Sequence, residues 1–174
     1  MNKALFLDRD GVINIEKEYL YKITDFEFIE GLFDTCQYFQ DKGYLLIIIT
    51  NQAGIARGKY TEKNFETLNQ WMLQQFTLKD ILISKVYHCP HHPEFTGTCA
   101  CRKPNSGMII QAQQAFNLDL TKSILVGDKE GDIQAGINAG ISQNILVRSG
   151  HPIDEAHSKA ISILDSIKNL AAVF

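Results

Sequence analysis

The sequence predicts an α/β protein, a Rossmann-like three-layer fold in which a parallel sheet of about five strands lies between helices. Two observations carry that expectation. Short apolar runs rich in Ile, Val and Leu alternate with longer stretches of helical period. Each run is also nearly continuous, as a parallel strand covered on both faces requires. With 174 residues the chain can bury one good core, whereas two domains would each fall near the lower end of stable size. Residues 1–174 are therefore expected to form a single domain.

The first strand is expected from Lys3 to Leu7, followed by Asp8-Arg9-Asp10-Gly11. A helix from about Gly31 to Asp41 comes next, with Gly43 placed to end it. Tyr44 to Thr50 reads as the second strand and Thr61 to Phe76 as the second helix. Thr61 is its N-cap, with Asn64 at the third helical position and so without a full capping box. Strands at Lys85 to His88, Ser123 to Val126 and Asn144 to Val147 alternate with helices at Gly107 to Phe116 and Gly131 to Asn138. Asp165 is expected to cap a last, packing helix through Ala172.

Net charge is −3 and no block of lysine and arginine stands out, which argues against a nucleic-acid or membrane-surface partner. No stretch approaches the ~20 apolar residues of a membrane helix, and the N-terminal apolar run is too short for a signal peptide. A cytoplasmic monomer acting on a small soluble ligand is expected. Of four cysteines, three lie between Cys89 and Cys101, and in a reducing compartment such clustering points to metal rather than disulfides. Cys36 reads as a buried free thiol.

In open sheets of this kind, ligands bind beyond the carboxyl ends of the strands. Right-handed crossovers bring three loops to that edge: Asp8-Arg9-Asp10-Gly11, Thr50-Asn51-Gln52, and Gly127-Asp128-Lys129-Glu130-Gly131-Asp132. Together they meet the demands of phosphoryl transfer, which needs a nucleophile, a metal, donors for the transferring oxygens and a proton shuttle. Asp8 and Asp128 can offer hard oxygen ligands to Mg²⁺. Asp10 cannot point the same way as Asp8 in extended chain. Its carboxyl suits general acid and base, while its carbonyl faces the metal. Thr50 offers a hydroxyl and the amides after it offer N–H groups to a phosphoryl group, and Lys103 offers a fixed cation.

These four short motifs resemble those of the haloacid-dehalogenase-like phosphatase superfamily across the whole length of the chain. The resemblance implies that Asp8 is the nucleophile that forms an aspartyl-phosphate, Asp10 the acid and base, Thr50 the second-motif donor and Lys103 the third-motif cation. Asp128 is then a metal ligand and Asp132 a support for the metal's waters. Members often carry an inserted cap domain, but the gaps between these motifs leave no room for one.

Cys89-Pro90-His91-His92 and Cys99-Ala100-Cys101 form a loop at about 88–102 with the spacing C-x-H-x7-C-x-C, suited to one structural Zn²⁺. The resemblance selects His91 over His88 and His92, which read as surface or packing residues. The loop would then pin Arg102 and Lys103 beside the phosphate.

Taken with Thr50 to Gly58 and Cys101-Arg102-Lys103-Pro104, the motifs are most similar to the branch of the superfamily that acts on a heptose bisphosphate. That resemblance implies release of the 7-phosphate on the route to nucleotide-activated heptose for lipopolysaccharide core. It implies substrate contacts from Asn51, Gln52, Ala53, Arg102 and Lys129, and from a flap at Glu16, Lys17, Glu18 and Tyr19. Histidinol-phosphate phosphatase is the nearest rival. Polynucleotide 3′-phosphatase would be expected to show a basic groove, and net charge gives none. A zinc-stabilised binding module with a vestigial site would not need the complete acidic set.

Overall fold

The computed structural model describes residues Met1–Phe174. Six strands, β1 (Lys3–Leu7), β2 (Tyr44–Asn51), β3 (Ile83–Cys89), β4 (Ile124–Gly127), β5 (Gln143–Val147) and β6 (Ser162–Leu164), form one sheet in the order β3-β2-β1-β4-β5-β6. Every neighbouring pair is parallel. Five α-helices complete the chain: α1 (Leu32–Asp41), α2 (Glu62–Thr77), the single turn α3 (Pro93–Thr96), α4 (Gly107–Phe116) and α5 (Glu130–Ala139).

The side-chain alternation of the central strands builds three layers. Leu5 and Leu7 of β1, with Leu46 and Ile48 of β2, bury against Phe39 of α1 and Met72 and Phe76 of α2. Ala4 and Phe6, with Ile47 and Ile49, turn to the opposite face and meet Met108 and Ile109 of α4 and Ile133 of α5. Each large side chain so buried stabilises the fold by about 2 kcal/mol. Because both faces are covered, the strands must read as continuous apolar runs.

Register sets the position of the site. Leu7 lies beside Ile48 on one flank and Val126 on the other, so β1 and β4 end at nearly one level while β2 runs on to Asn51. The strand order reverses between β1 and β4, and a crevice opens there. Asp8 N donates to Val126 O at 3.1 Å and carries the pairing one residue past β1. Only loop, a 3₁₀ turn and α1 separate β1 from β2, and only α2 with short loops separates β2 from β3.

Three local expectations need correction. The sheet has a sixth strand: Ser162–Leu164 pairs with β5, and at three residues it is too short to carry a periodic signal. The segment Ile167–Ala172 is 3₁₀ rather than α, and its N-cap is Ser166, paired with Asn169. Asp165 instead meets Arg148 Nη1 at 2.9 Å. Thr61 does make a full capping box, because Asn64 substitutes for the usual Glu or Gln. Asn64 N donates to Thr61 Oγ1 at 3.1 Å, and Thr61 N donates to Asn64 Oδ1 at 2.9 Å.

Candidate active site

Asp8 after β1 and Asp128 after β4 converge with Asp132 from the first turn of α5, their carboxylate oxygens within 4.8 Å of one another. All three are buried, and Lys103 is the cation among them. Its Nζ lies 2.9 Å from Asp8 Oδ1 and 2.7 Å from Asp132 Oδ1, and it donates to Ile49 O at 2.9 Å. Two carboxylate charges are left unbalanced, which is costly in a buried site.

The protonation tendencies express that imbalance. Burial, then the neighbouring Asp132, pushes the Asp8 carboxyl well above the usual carboxylate range against the pull of Lys103. Burial and Asp132 push Asp128 up to about 6. Burial favours neutral Lys103, but Asp132 and Asp8 outweigh it and hold the ammonium above the ordinary lysine value.

The oxygens are not equivalent. Asp132 uses both of its own: Oδ1 faces Lys103, and Oδ2 accepts the N–H of Asp128 and of Lys129 at 3.1 Å each. Asp128 is fully buried, and its Oδ1 has no partner. An unpaired carboxylate oxygen beside Asp8, in a cluster short of positive charge, fits a hard divalent cation. Asp132 is better suited to supporting such a cation's waters.

Asp10 stands apart from this group. Its carboxylate accepts from Arg9 Nη2 at 3.1 Å, Asn14 Nδ2 at 3.0 Å and Gln52 Nε2 at 3.2 Å. Gln52 also donates to Thr50 Oγ1 at 2.8 Å, and its Oε1 accepts the Tyr60 hydroxyl. Thr50 is thus buried behind Gln52. The Gln52 amide, expected to face a phosphoryl group, donates to Cys89 O instead, because the β2–β3 pairing runs one residue past β2. Main-chain amides without partners include those of Ala53 and Gly54 here, and of Arg9 and Asp10 after β1. Asn51 holds Lys103 reciprocally: its Nδ2 donates to Lys103 O at 3.1 Å and its Oδ1 accepts Lys103 N at 3.0 Å.

A cavity of about 270 Å³ opens onto Asp8, Asp10, Lys103 and Asp132. Its walls bring together the expected contacts Glu16, Lys17, Glu18, Tyr19, Asn51, Gln52, Ala53, Arg102 and Lys129. Thr50 and Asp128 lie outside the lining. Arg9, Leu20, Gly54, Tyr60 and His151 join it without having been singled out from the sequence. The flap is fastened by stacking: Tyr21 lies on Tyr60 with centroids 5.5 Å apart, and the Lys59 ammonium sits 5.4 Å from the Tyr19 ring.

A haloacid-dehalogenase-hydrolase-like (HAD-hydrolase-like) family model matches residues 100–170. D-glycero-alpha-D-manno-heptose-1,7-bisphosphate 7-phosphatase of Campylobacter jejuni is 55% identical over 145 residues, 83% of this chain and 82% of that protein. The D-glycero-beta-D-manno-heptose-1,7-bisphosphate 7-phosphatase of Haemophilus influenzae is 44% identical, covering 99% and 97% of the two chains. The chain belongs to the heptose-1,7-bisphosphate 7-phosphatase family. A solved member, the D,D-heptose 1,7-bisphosphate phosphatase of B. bronchiseptica complexed with magnesium and phosphate, superposes with a TM-score of 0.83. It shares 26% identity and covers 98% of this chain and 97% of that one.

In this member of the family the cysteine loop brings Cys89, Cys99 and Cys101 together as a possible metal group, with the His91 ring outside the group and the Cys89 and Cys101 sulfurs in direct contact. Cys99 Sγ lies 3.6 Å from each of them. His91 enters the loop through its carbonyl, which accepts Arg102 Nη1 at 3.5 Å. The next residue, His92, caps α3 by accepting Glu94 N at Nδ1, while its Nε2 meets Arg57 Nη2 at 3.2 Å. His88 stacks on Phe65 and pairs with Glu62.

Proposed function

We propose that this chain is a Mg²⁺-dependent phosphatase that removes the 7-phosphate of D-glycero-D-manno-heptose 1,7-bisphosphate through an aspartyl-phosphate on Asp8. The observation that carries the reading is the buried Asp8, Asp128 and Asp132 cluster with Lys103 at the floor of the cavity, in a chain of this family.

In the proposed reaction an Asp8 carboxylate oxygen attacks phosphorus, and the bond from phosphorus to the sugar's C7 oxygen breaks. Asp10 gives its proton to that leaving oxygen. Asp10 then takes a proton from the water that attacks the aspartyl-phosphate, which frees Asp8 and phosphate. Lys103 balances charge on the transferring group, and the unpartnered amides of Arg9, Asp10, Ala53 and Gly54 serve in this reading as donors to its oxygens. Thr50 supports that loop through Gln52. Mg²⁺, held by the Asp8 and Asp128 carboxylates and the Asp10 carbonyl, supplies electrostatic stabilisation of the anionic group. Arg102, Lys129 and the flap from Glu16 to Tyr19 bind the rest of the sugar phosphate.

The cysteine loop is proposed to hold structural Zn²⁺ through Cys89, Cys99 and Cys101, with His91 as the expected fourth ligand. The 3.6 Å separations from Cys99 are near the ~3.8 Å edge of a tetrahedron of thiolates at ~2.3 Å from zinc.

Phosphate release should be measured with Mg²⁺ from both anomers of the heptose bisphosphate and from histidinol phosphate, with the product's remaining phosphate located by NMR. Turnover of a heptose bisphosphate to the 1-phosphate is expected. Preference for histidinol phosphate would keep the chemistry and overturn the substrate, and inactivity on all three would leave only a binding module.

A further inference from the structure

The loop after β5 belongs to none of the motifs above, yet it closes over the acid cluster. Ser149 Oγ donates to Gly11 O at 2.7 Å and ties this loop to the turn after β1. Gly150 and Gly11 both pack on Asp128 so closely that a Cβ at either would collide with its carboxylate, and Gly11 also has φ near +91°. That approach delivers His151. Its main-chain N donates to Asp128 Oδ2 at 2.9 Å, and its ring Nδ1 lies 2.6 Å from the same oxygen. With Asp128 ionised, as a metal ligand must be, Oδ2 can only accept, so Nδ1 is then the protonated ring nitrogen. The opposite side of the ring lines the cavity, with Nε2 3.7 Å from Glu16 Oε1.

We propose that His151 is a positioning residue for the metal site. By occupying Oδ2 of Asp128 with two donors it fixes the carboxylate's rotation, so that the unpartnered Oδ1 is the atom presented beside Asp8. A carboxylate free to rotate would have to be oriented by the cation itself, at the expense of affinity. The contact with Glu16 places the flap against the same ring. This inference rests on the Mg²⁺ site proposed above.

The test is calorimetric titration of Mg²⁺ into the reduced, substrate-free protein, comparing wild type with His151→Ala, His151→Asn and Asp128→Asn. Loss of the ring donor is expected to weaken Mg²⁺ binding by about 10–100-fold. His151→Asn, whose Nδ2 can take the place of Nδ1, is expected to retain most of the affinity. The kcat of His151→Ala should return towards wild type at saturating Mg²⁺. A His151→Ala protein that binds Mg²⁺ as wild type does, or a His151→Asn protein no better than His151→Ala, overturns the role. Wild type that binds no Mg²⁺, or an Asp128→Asn protein that binds it as tightly, would overturn the metal site itself.

Discussion

The carboxylate cluster and the cysteine cluster are both groups of potential metal ligands close in space, and they are built on different supports. Asp8 and Asp128 stand at the ends of adjacent parallel strands whose register is fixed by main-chain pairing. Each carboxylate is oriented by a named donor: Lys103 for Asp8, His151 for Asp128, and Lys103 with two amides for Asp132. The cysteines sit at the end of β3 and in the loop before α4. There three sulfurs gather, those of Cys89 and Cys101 in direct contact, and the His91 ring lies outside the group. Strand ends fix where a side chain points, and a loop fixes mainly which residues are near. The first cluster should accordingly govern chemistry and the second stability.

The largest expected effect tests that division directly. Asp8→Asn should lower kcat by about 1,000-fold or more while leaving the fold intact. It should also raise the melting temperature of the metal-free protein, because one of the crowded buried carboxylates is gone. A fall in melting temperature would mean that the cluster is not short of positive charge. Asp10→Asn should slow turnover by roughly 100-fold, through loss of acid–base help. It should leave Mg²⁺ affinity nearly unchanged, since the Asp10 carboxylate faces Arg9, Asn14 and Gln52.

The cysteine cluster should answer differently. If the three thiolates hold Zn²⁺, Cys99→Ser and Cys101→Ser should each lower stability by about 2–5 kcal/mol, with a much smaller change in kcat than Asp10→Asn gives. If the loop holds no metal, Cys99→Ser should be nearly neutral by thermal melting. Elemental analysis of the reduced protein should find about one zinc per chain.

The smallest effect concerns pH. Asp128 is raised to about 6 in the metal-free fold, above the ~3.9 of a free aspartate. A raised carboxyl adds stability below its unfolded value and loses it as pH rises through the folded value. The metal-free protein should therefore lose stability between about pH 4 and 6 from this group. Mg²⁺ should raise the melting temperature more near neutral pH than at about pH 5, and a shift independent of pH would contradict the assignment.

The parallel sheet was legible because its strands are buried on both faces, which writes them as unbroken apolar runs. The β6 strand escaped because three residues at the sheet edge, Ser162 to Leu164, carry no such run. Asp8, Asp10, Asp128 and Asp132 could be found because each follows a strand or begins a helix at the same edge, and Lys103, in the loop before α4, because it completes that set. His151 lies just beyond β5 at that edge, so its position was open to the same argument. Its chemistry was not, since nothing in Ser149-Gly150-His151 announces that two glycines allow a ring to reach Asp128. Tyr60 likewise enters the site through Gln52, and Arg9 bridges its neighbour Asp10 to the carbonyl of Leu20, a partner its sequence does not announce.

The most direct measurement is capture of the covalent intermediate. The Asp10→Asn protein, in which the aspartyl-phosphate should form and break down slowly, would be mixed with heptose bisphosphate and Mg²⁺, quenched in acid and reduced with borohydride before peptide mass analysis. Conversion of residue 8 from aspartate to homoserine, dependent on substrate, is the expected result. Turnover with residue 8 unmodified, or homoserine at any other aspartate, would show that Asp8 is not the nucleophile.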